Sequence, residues 1–145
     1  MISVNVFARE CALNRTARVF HACLAAKEGR SVRYGIRALT SHILSENEIL
    51  HPGEYEWVLS GTTRRLENLL KENGVGTKFD YVSVDLEGHE EEVLGSLSWD
   101  RWSIQALTVE RPSENLVKLL RRQGFRPVHF IPNLDVFFLH ESNPF

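Results

Sequence analysis

Residues 79–90 read FDYVSVDLEGHE, and this stretch decides how the chain is expected to fold. Its first six residues are rich in aromatic and β-branched side chains, which favour a strand. Asp85 closes the strand, and Gly88 suits a tight turn. Three consecutive glutamates follow His89, where their charges complement the positive end of a helix dipole. The stretch therefore predicts a buried strand that leads through a turn into a helix.

The residues on either side of this stretch alternate between helix and strand patterns. Upstream, Thr63 can cap a helix over 64–73 that ends at Gly74. Downstream, the patterns predict a helix from His89, a strand over Ile104–Val109, a helix from Ser113 to Gly124, and strands over 128–131 and 136–139. The links that contain helices are long enough for parallel crossovers, whereas only residues 132–135 separate the last two strands. We therefore expect a parallel α/β sheet with one reversed strand at its C-terminal end.

The first half of the chain has weaker patterns. We expect a helix over Ser3–Leu13, strands over Arg18–Leu24 and Gly29–Tyr34, and a long loop or lid over 38–56. A further extended segment is expected over 56–59.

Composition excludes several classes of protein. Of the 145 residues 43% are hydrophobic and 25% are charged, which is typical of a globular domain. The formal net charge is −2 and the basic residues are scattered, which argues against nucleic acid or an anionic membrane as a partner. The sequence contains no long apolar span and no signal peptide pattern. Cys11 and Cys23 fit packing thiols in a reducing compartment, so the cytoplasm is the expected location.

Several titratable groups lie where the strand over 79–84 is expected to end. Ligands of open α/β sheets bind beyond the carboxyl ends of the strands. A neutral His89 there could take a proton from a hydroxyl nucleophile. Asp85 or Glu87 could orient that base, hold the acceptor hydroxyl or bind a divalent cation. The alternative interpretation is that these acids only cap the helix that follows.

The run from Phe79 to Glu90, followed by Val93 and Leu94, resembles the signature of the FkbM methyltransferase family, in which a strand ends in an Asp-x-Glu-Gly-x-Glu pattern. Thr62 and Thr63 with the leucines at 66–70 are similar to the family's preceding helix, and residues 107–110 are similar to its next strand. The resemblance implies S-adenosylmethionine as the methyl donor. It also implies a hydroxyl acceptor on a sugar, polyketide or other small metabolite.

The resemblance also implies a fold and a set of site residues. The fold is an α/β, Rossmann-like three-layer sandwich, truncated at its N-terminus, with a mostly parallel sheet and an antiparallel C-terminal strand. It would form a single partial domain over 1–145. Its catalytic residues would be Asp85, Glu87 and His89, with Glu110 in the substrate pocket and no bound metal. Ala25 and Ala26 would border the adenine of the cofactor.

One departure from the family pattern concerns the cofactor. The glycine-rich loop and the acid that holds the ribose have no counterpart here and are expected before Met1. Gly74 and Gly76 do not replace them, because they follow a helix and lack a third glycine. We therefore expect weak binding of S-adenosylmethionine. The same departure leaves open a noncatalytic module that has lost the cofactor site and acts in protein interaction, whereas the lack of a G-x-G-x-x-G motif after any strand disfavours a dehydrogenase.

The missing segments also affect the expected sheet. Without them, the strand over 79–84 would expose an apolar edge, which promotes self-association. We expect the segment over 18–24 to pair with this edge, or a homodimer to form through it.

Overall fold

The computed structural model of the chain describes residues 18–20, 22–37, 40–44 and 48–142. It divides into two compact units, Met1–Arg64 and Arg65–Phe145. The predicted helix over 3–13 and the thiol of Cys11 lie outside the described residues. Each unit contains one four-stranded sheet in its described part. The single domain over 1–145 stays a prediction.

The sheet of the first unit is mixed. Its strands are β1 (Cys23–Leu24), β2 (Ser31–Arg37), β3 (Thr40–Leu44) and β4 (Trp57–Arg64), in the order β1-β4-β2-β3. β2 is antiparallel to both β3 and β4, whereas β1 is parallel to β4. Buried Cys23, Tyr34 and Ile36 form its core. The prediction of a loop over 38–56 is wrong at 40–44, where the chain forms β3.

The second unit contains the elements on which the candidate site depends. They are α1 (Leu66–Glu72), β5 (Lys78–Val84), α2 (Glu90–Gly95), β6 (Ser103–Glu110), α3 (Glu114–Arg122), β7 (Phe125–Phe130) and β8 (Asp135–His140). Their sheet order is β5-β6-β8-β7. β5 and β6 are parallel, and β8 is antiparallel to both β6 and β7. Each of these elements begins and ends within a few residues of its prediction.

The predicted Rossmann-like three-layer sandwich with a mostly parallel sheet is wrong. The described residues form two small mixed sheets with few helices. In the first unit, only residues 38–39 separate β2 from β3, which is too short for a helical crossover. In the second unit, β8 returns after a short turn and lies between β6 and β7, so one parallel pair and two antiparallel pairs result.

Helix α3 packs as its leucine spacing predicts. Leu116 and Leu120 are fully buried, and burying each contributes about 2 kcal/mol. The Ser113 hydroxyl caps the helix by accepting a hydrogen bond from the Leu116 N–H at 3.1 Å. Gly124 follows the helix with a φ of 84°, a backbone conformation that glycine adopts without steric cost.

The edge strand of the second sheet is β5. Among the described residues it pairs with β6, whereas β1 pairs with β4. Pairing of the segment over 18–24 with β5 stays a prediction. Self-association through the β5 edge stays a prediction.

Thr63 does not cap α1, contrary to the prediction. It lies in β4, where its Oγ1 accepts a hydrogen bond from the Arg30 N–H at 3.0 Å and donates one to the Lys27 carbonyl at 2.7 Å. These bonds explain why a threonine is nearly fully buried there. The N-cap of α1 is Arg65, whose side chain makes no capping bond.

A buried carboxylate ties α1 to the segment after α2. Glu67 Oε1 lies 2.8 Å from Arg65 Nη2, and its Oε2 accepts a hydrogen bond from the Ser98 N–H at 3.4 Å. Burial raises the pKa of Glu67, but hydrogen bonds from Ser98 and the charges of Arg65 and Lys71 outweigh it and lower the pKa below its ordinary value.

Glu67→Gln tests this arrangement. Because the folded pKa of Glu67 is lowered, its charge stabilises the fold above the unfolded pKa, and this stabilisation is lost as the pH falls through the folded value. The variant should be less stable than the wild type by about 1–3 kcal/mol at pH 7, and the difference should shrink between about pH 5 and about pH 3. Urea unfolding at several pH values measures both quantities.

Glu114→Gln is the matched control. Its carboxylate is exposed and lies 3.7 Å from Lys118 Nζ, so its loss should change stability by less than about 0.5 kcal/mol. An equal pH dependence of the wild type and Glu67→Gln would contradict the account.

Candidate functional site

Two strand ends bring carboxylates to one edge of the second sheet. Asp85 directly follows β5 and is exposed, and Glu110 is the last residue of β6 and is half-buried. Val84 pairs with Val109 in the parallel register, so the residues after them emerge side by side. The structure therefore brings Asp85 and Glu110 together at the carboxyl edge.

The turn after Asp85 contains two consecutive residues with positive φ angles. Glu87 has a φ of 52° and Gly88 a φ of 96°, both in the left-handed region that favours glycine. The carboxylate of Glu90 supports this turn from inside. Its Oε1 accepts hydrogen bonds from the N–H groups of Leu86 at 2.8 Å and Gly88 at 3.1 Å. Glu90 is only 5% exposed, so it is a structural part of the turn.

Glu90 also completes a group of three carboxylates. One carboxylate oxygen from each of Asp85, Glu90 and Glu110 lies within 4.8 Å of the other two. In the sequence, Glu90 is one of three acids that complement a helix dipole and the last acid of the Asp-x-Glu-Gly-x-Glu pattern, and neither feature predicts its contact with the turn. The signal that could have identified it is its place directly after a glycine turn, from which a carboxylate can reach back to free N–H groups. Oxygen ligands at this separation suit a divalent cation.

Arg111 supplies the positive charge at this edge, and sequence analysis missed it. Its Nε donates a hydrogen bond to Glu110 Oε1 at 3.0 Å, and its Nη2 donates to the same oxygen. The pKa of Arg111 is raised first by this bond and by the charge of Glu110, then by the charges of Glu87 and Asp85. A cation that bound to Glu110 would have to displace this guanidinium. The four charged side chains of 85, 87, 110 and 111 thus form one electrostatic group.

His89 occupies the N-cap position of the six-residue helix α2 and makes no side-chain capping bond. Its Nδ1 lies 3.5 Å from Glu92 Oε2, and its ring is partly exposed. Sequence analysis expected Asp85 or Glu87 to orient this ring, whereas the structure places Glu92 beside it. Its role as a base stays a prediction.

The two predicted adenine contacts lie in the first unit. Ala25 is buried, and its N–H donates a hydrogen bond to the Arg64 carbonyl at 3.0 Å. Ala26 is half-buried. Their role in cofactor binding stays a prediction.

Two cavities in the second unit lie away from the three carboxylates. One, of about 190 Å³, lies at the opposite edge of the sheet and is lined by Trp99, Trp102, Ser103, Ile104, Gln123, Phe125 and His140. The other, of about 330 Å³, lies between α2 and α3 and is lined by Glu91, Gly95, Asn115, Leu116, Lys118, Leu119 and Arg122. Neither is lined by the group of carboxylates found at the strand ends, so the strand ends remain the candidate site.

Comparison with known families identifies the chain. The family model of the methyltransferase FkbM domain matches residues 6–127, which include the whole stretch over 79–90. The chain belongs to the FkbM methyltransferase domain family. No curated protein and no solved structure gave a significant match. The predicted family is confirmed, and the carboxyl edge described above carries its signature. In the described part of this FkbM domain, no helix combines the length and apolar character needed to cross a membrane.

Glu90→Ala tests the role of the buried carboxylate. The substitution leaves the N–H groups of Leu86 and Gly88 without their acceptor, so the domain should lose about 1–3 kcal/mol of unfolding free energy. Amide hydrogen exchange at these two positions should also accelerate. Chemical unfolding and exchange measured by NMR check the two effects.

Glu92→Ala removes a neighbouring exposed acid on the same helix and serves as the control. Its pairing with His89 is solvent-exposed, so we expect a change below about 0.5 kcal/mol. Equal stability losses in both variants would show that Glu90 does not hold the turn.

Proposed function

We propose that this FkbM domain transfers a methyl group from S-adenosylmethionine to a hydroxyl oxygen of a sugar, polyketide or other small metabolite. The observation that carries the proposal is the family match over the stretch that places Asp85 beside Glu110. These groups lie beyond the carboxyl ends of parallel strands, where α/β proteins bind ligands.

The charged side chains at this edge suit the binding of a positively charged sulfonium compound. The carboxylates of Asp85, Glu87, Glu90 and Glu110 outnumber the guanidinium of Arg111, so the edge attracts a positively charged group. Asp85 and Glu87 are the residues that would lie beside it. When bound, S-adenosylmethionine supplies an electrophilic methyl group on a good leaving group.

Asp85 and His89 are the residues proposed to act on the methyl acceptor. Asp85 would accept a hydrogen bond from a second hydroxyl of the acceptor and so orient the reacting oxygen toward the methyl group, while the reacting hydroxyl donates its hydrogen bond to His89. The O–C bond forms as the S–C bond breaks, and the hydroxyl proton passes to the imidazole. Glu92 beside Nδ1 favours the tautomer that carries its proton there, which leaves the Nε2 lone pair available as the base. Glu110, held by Arg111, lines the pocket.

The proposed compartment and partners of the protein rest on a buried cysteine, the net charge and the edge of β5. The thiol of Cys23 is buried, as expected of a packing thiol in a reducing compartment such as the cytoplasm. A net charge of −2 fits a small neutral acceptor better than nucleic acid or a membrane surface. The edge of β5 that pairs with no described strand is the surface through which a homodimer would form.

His89→Ala tests the proposed base. With radiolabelled donor at millimolar concentration and a panel of sugar and polyketide alcohols, the variant should turn over about 10²-fold more slowly or worse. Donor affinity, measured by calorimetry, should stay nearly unchanged because the ring contacts the acceptor. Millimolar donor is used so that weak binding of the donor is still detected.

His51→Ala, at an exposed position of the first unit, is the control and should keep full turnover. Unchanged turnover in His89→Ala would remove His89 from the mechanism. A wild type that neither binds the donor nor transfers methyl groups would contradict the proposed function and favour a noncatalytic interaction module.

A further inference from the structure

The turn between β7 and β8 carries exposed apolar side chains. Phe130 is 65% exposed, Leu134 51% and Ile131 39%. We call these three residues the apolar tip. The backbone of the tip is held by two hydrogen bonds, from the Leu134 N–H to the Ile131 carbonyl at 3.0 Å and from the Ile131 N–H to the Asp135 carbonyl at 2.7 Å. Three large apolar side chains within five residues of a fixed turn form a preorganised apolar surface.

The apolar tip lies beside the candidate site. The Arg111 N–H donates a hydrogen bond to the Leu134 carbonyl at 2.6 Å, and Glu110 pairs with Asp135 in the sheet register. Neighbouring strands lie about 4.8 Å apart, so the tip begins within roughly 10 Å of the Glu110 backbone. The backbone of the apolar tip is therefore adjacent to the strand end that carries Glu110.

We propose that the apolar tip is the subsite for an apolar portion of the methyl acceptor, which makes the acceptor an amphipathic alcohol; this inference rests on the proposed function. The reacting hydroxyl would lie at His89, and an alkyl chain or apolar ring would reach Phe130 and Leu134. Excess carboxylates at the edge disfavour an anionic acceptor, so the polar part is neutral, as in a glycoside. A free sugar fills only the polar part and binds more weakly.

Binding of two glucosides tests the subsite without requiring catalysis. Octyl β-glucoside, below its micelle concentration, and methyl β-glucoside share a polar part and differ in the alkyl chain. The wild type should bind the octyl compound at least about 10-fold more tightly by calorimetry. Phe130→Ser and Leu134→Ser should each weaken octyl glucoside binding about 10-fold and leave binding of methyl β-glucoside unchanged.

Ile49→Ser is the matched control because Ile49 is a more exposed apolar residue, at 79%, in the first unit. It should leave both affinities unchanged. Thermal unfolding of all three variants should match the wild type, since each side chain is largely exposed.

The outcomes separate this inference from the proposed function. If no methyl transfer occurs but the octyl preference depends on Phe130 and Leu134, the subsite stands and the proposed function fails. If transfer occurs but the variants bind octyl glucoside as the wild type does, or the wild type shows no octyl preference, the subsite is overturned. If Phe130→Ser abolishes a dimer seen by sedimentation and leaves glucoside binding intact, the tip is an interface between two copies and the inference is overturned.

Discussion

The carboxylate of Glu90 holds the turn on which the candidate site depends. It accepts hydrogen bonds from the Leu86 and Gly88 N–H groups, which would otherwise lie unpaired beneath the turn. The turn contains Glu87 at a positive φ, a conformation that costs a non-glycine residue about 1 kcal/mol or more. A buried, doubly hydrogen-bonded carboxylate offsets that cost. Without it, the direction in which Asp85 and His89 leave the strand would no longer be fixed.

The charges of the edge are balanced by local pairing. β5 and β6 are parallel, so Asp85 and Glu110 emerge together and would repel each other if both stood alone. Arg111 relieves this repulsion by binding Glu110, and its own φ of 39° shows that the backbone bends to bring it there. The remaining excess of negative charge is what makes the edge suitable for a positively charged methyl donor. The same strand geometry places the apolar tip next to these charges.

Much of the second unit follows from local sequence patterns. The strand β5, the helix that begins after Ser113 and the antiparallel final pair agree with the structure because each depends on neighbouring residues or on the length of a link. The FkbM signature over 79–90 identified the family and the edge that carries Asp85 and Glu110.

Other features depend on contacts that local patterns do not encode. The position of β8 between β6 and β7 depends on contacts between elements that are distant in the sequence. It makes the sheet mixed, whereas a mostly parallel sheet was predicted. Threonine often caps helices, but Thr63 lies in β4. There it forms hydrogen bonds with Lys27 and Arg30, more than thirty residues away in the sequence. The sequence does not indicate which carboxylate Arg111 contacts, so its place in the site is known only from the structure.

The most direct test of the account is where S-adenosylmethionine binds. Uniformly ¹⁵N-labelled protein titrated with millimolar S-adenosylmethionine should show amide shift changes centred on 85–90 and 110–111. Shift changes confined to the cavity of Trp99, Trp102 and His140, at the opposite edge of the sheet, would contradict the account. So would a spectrum that does not change at all.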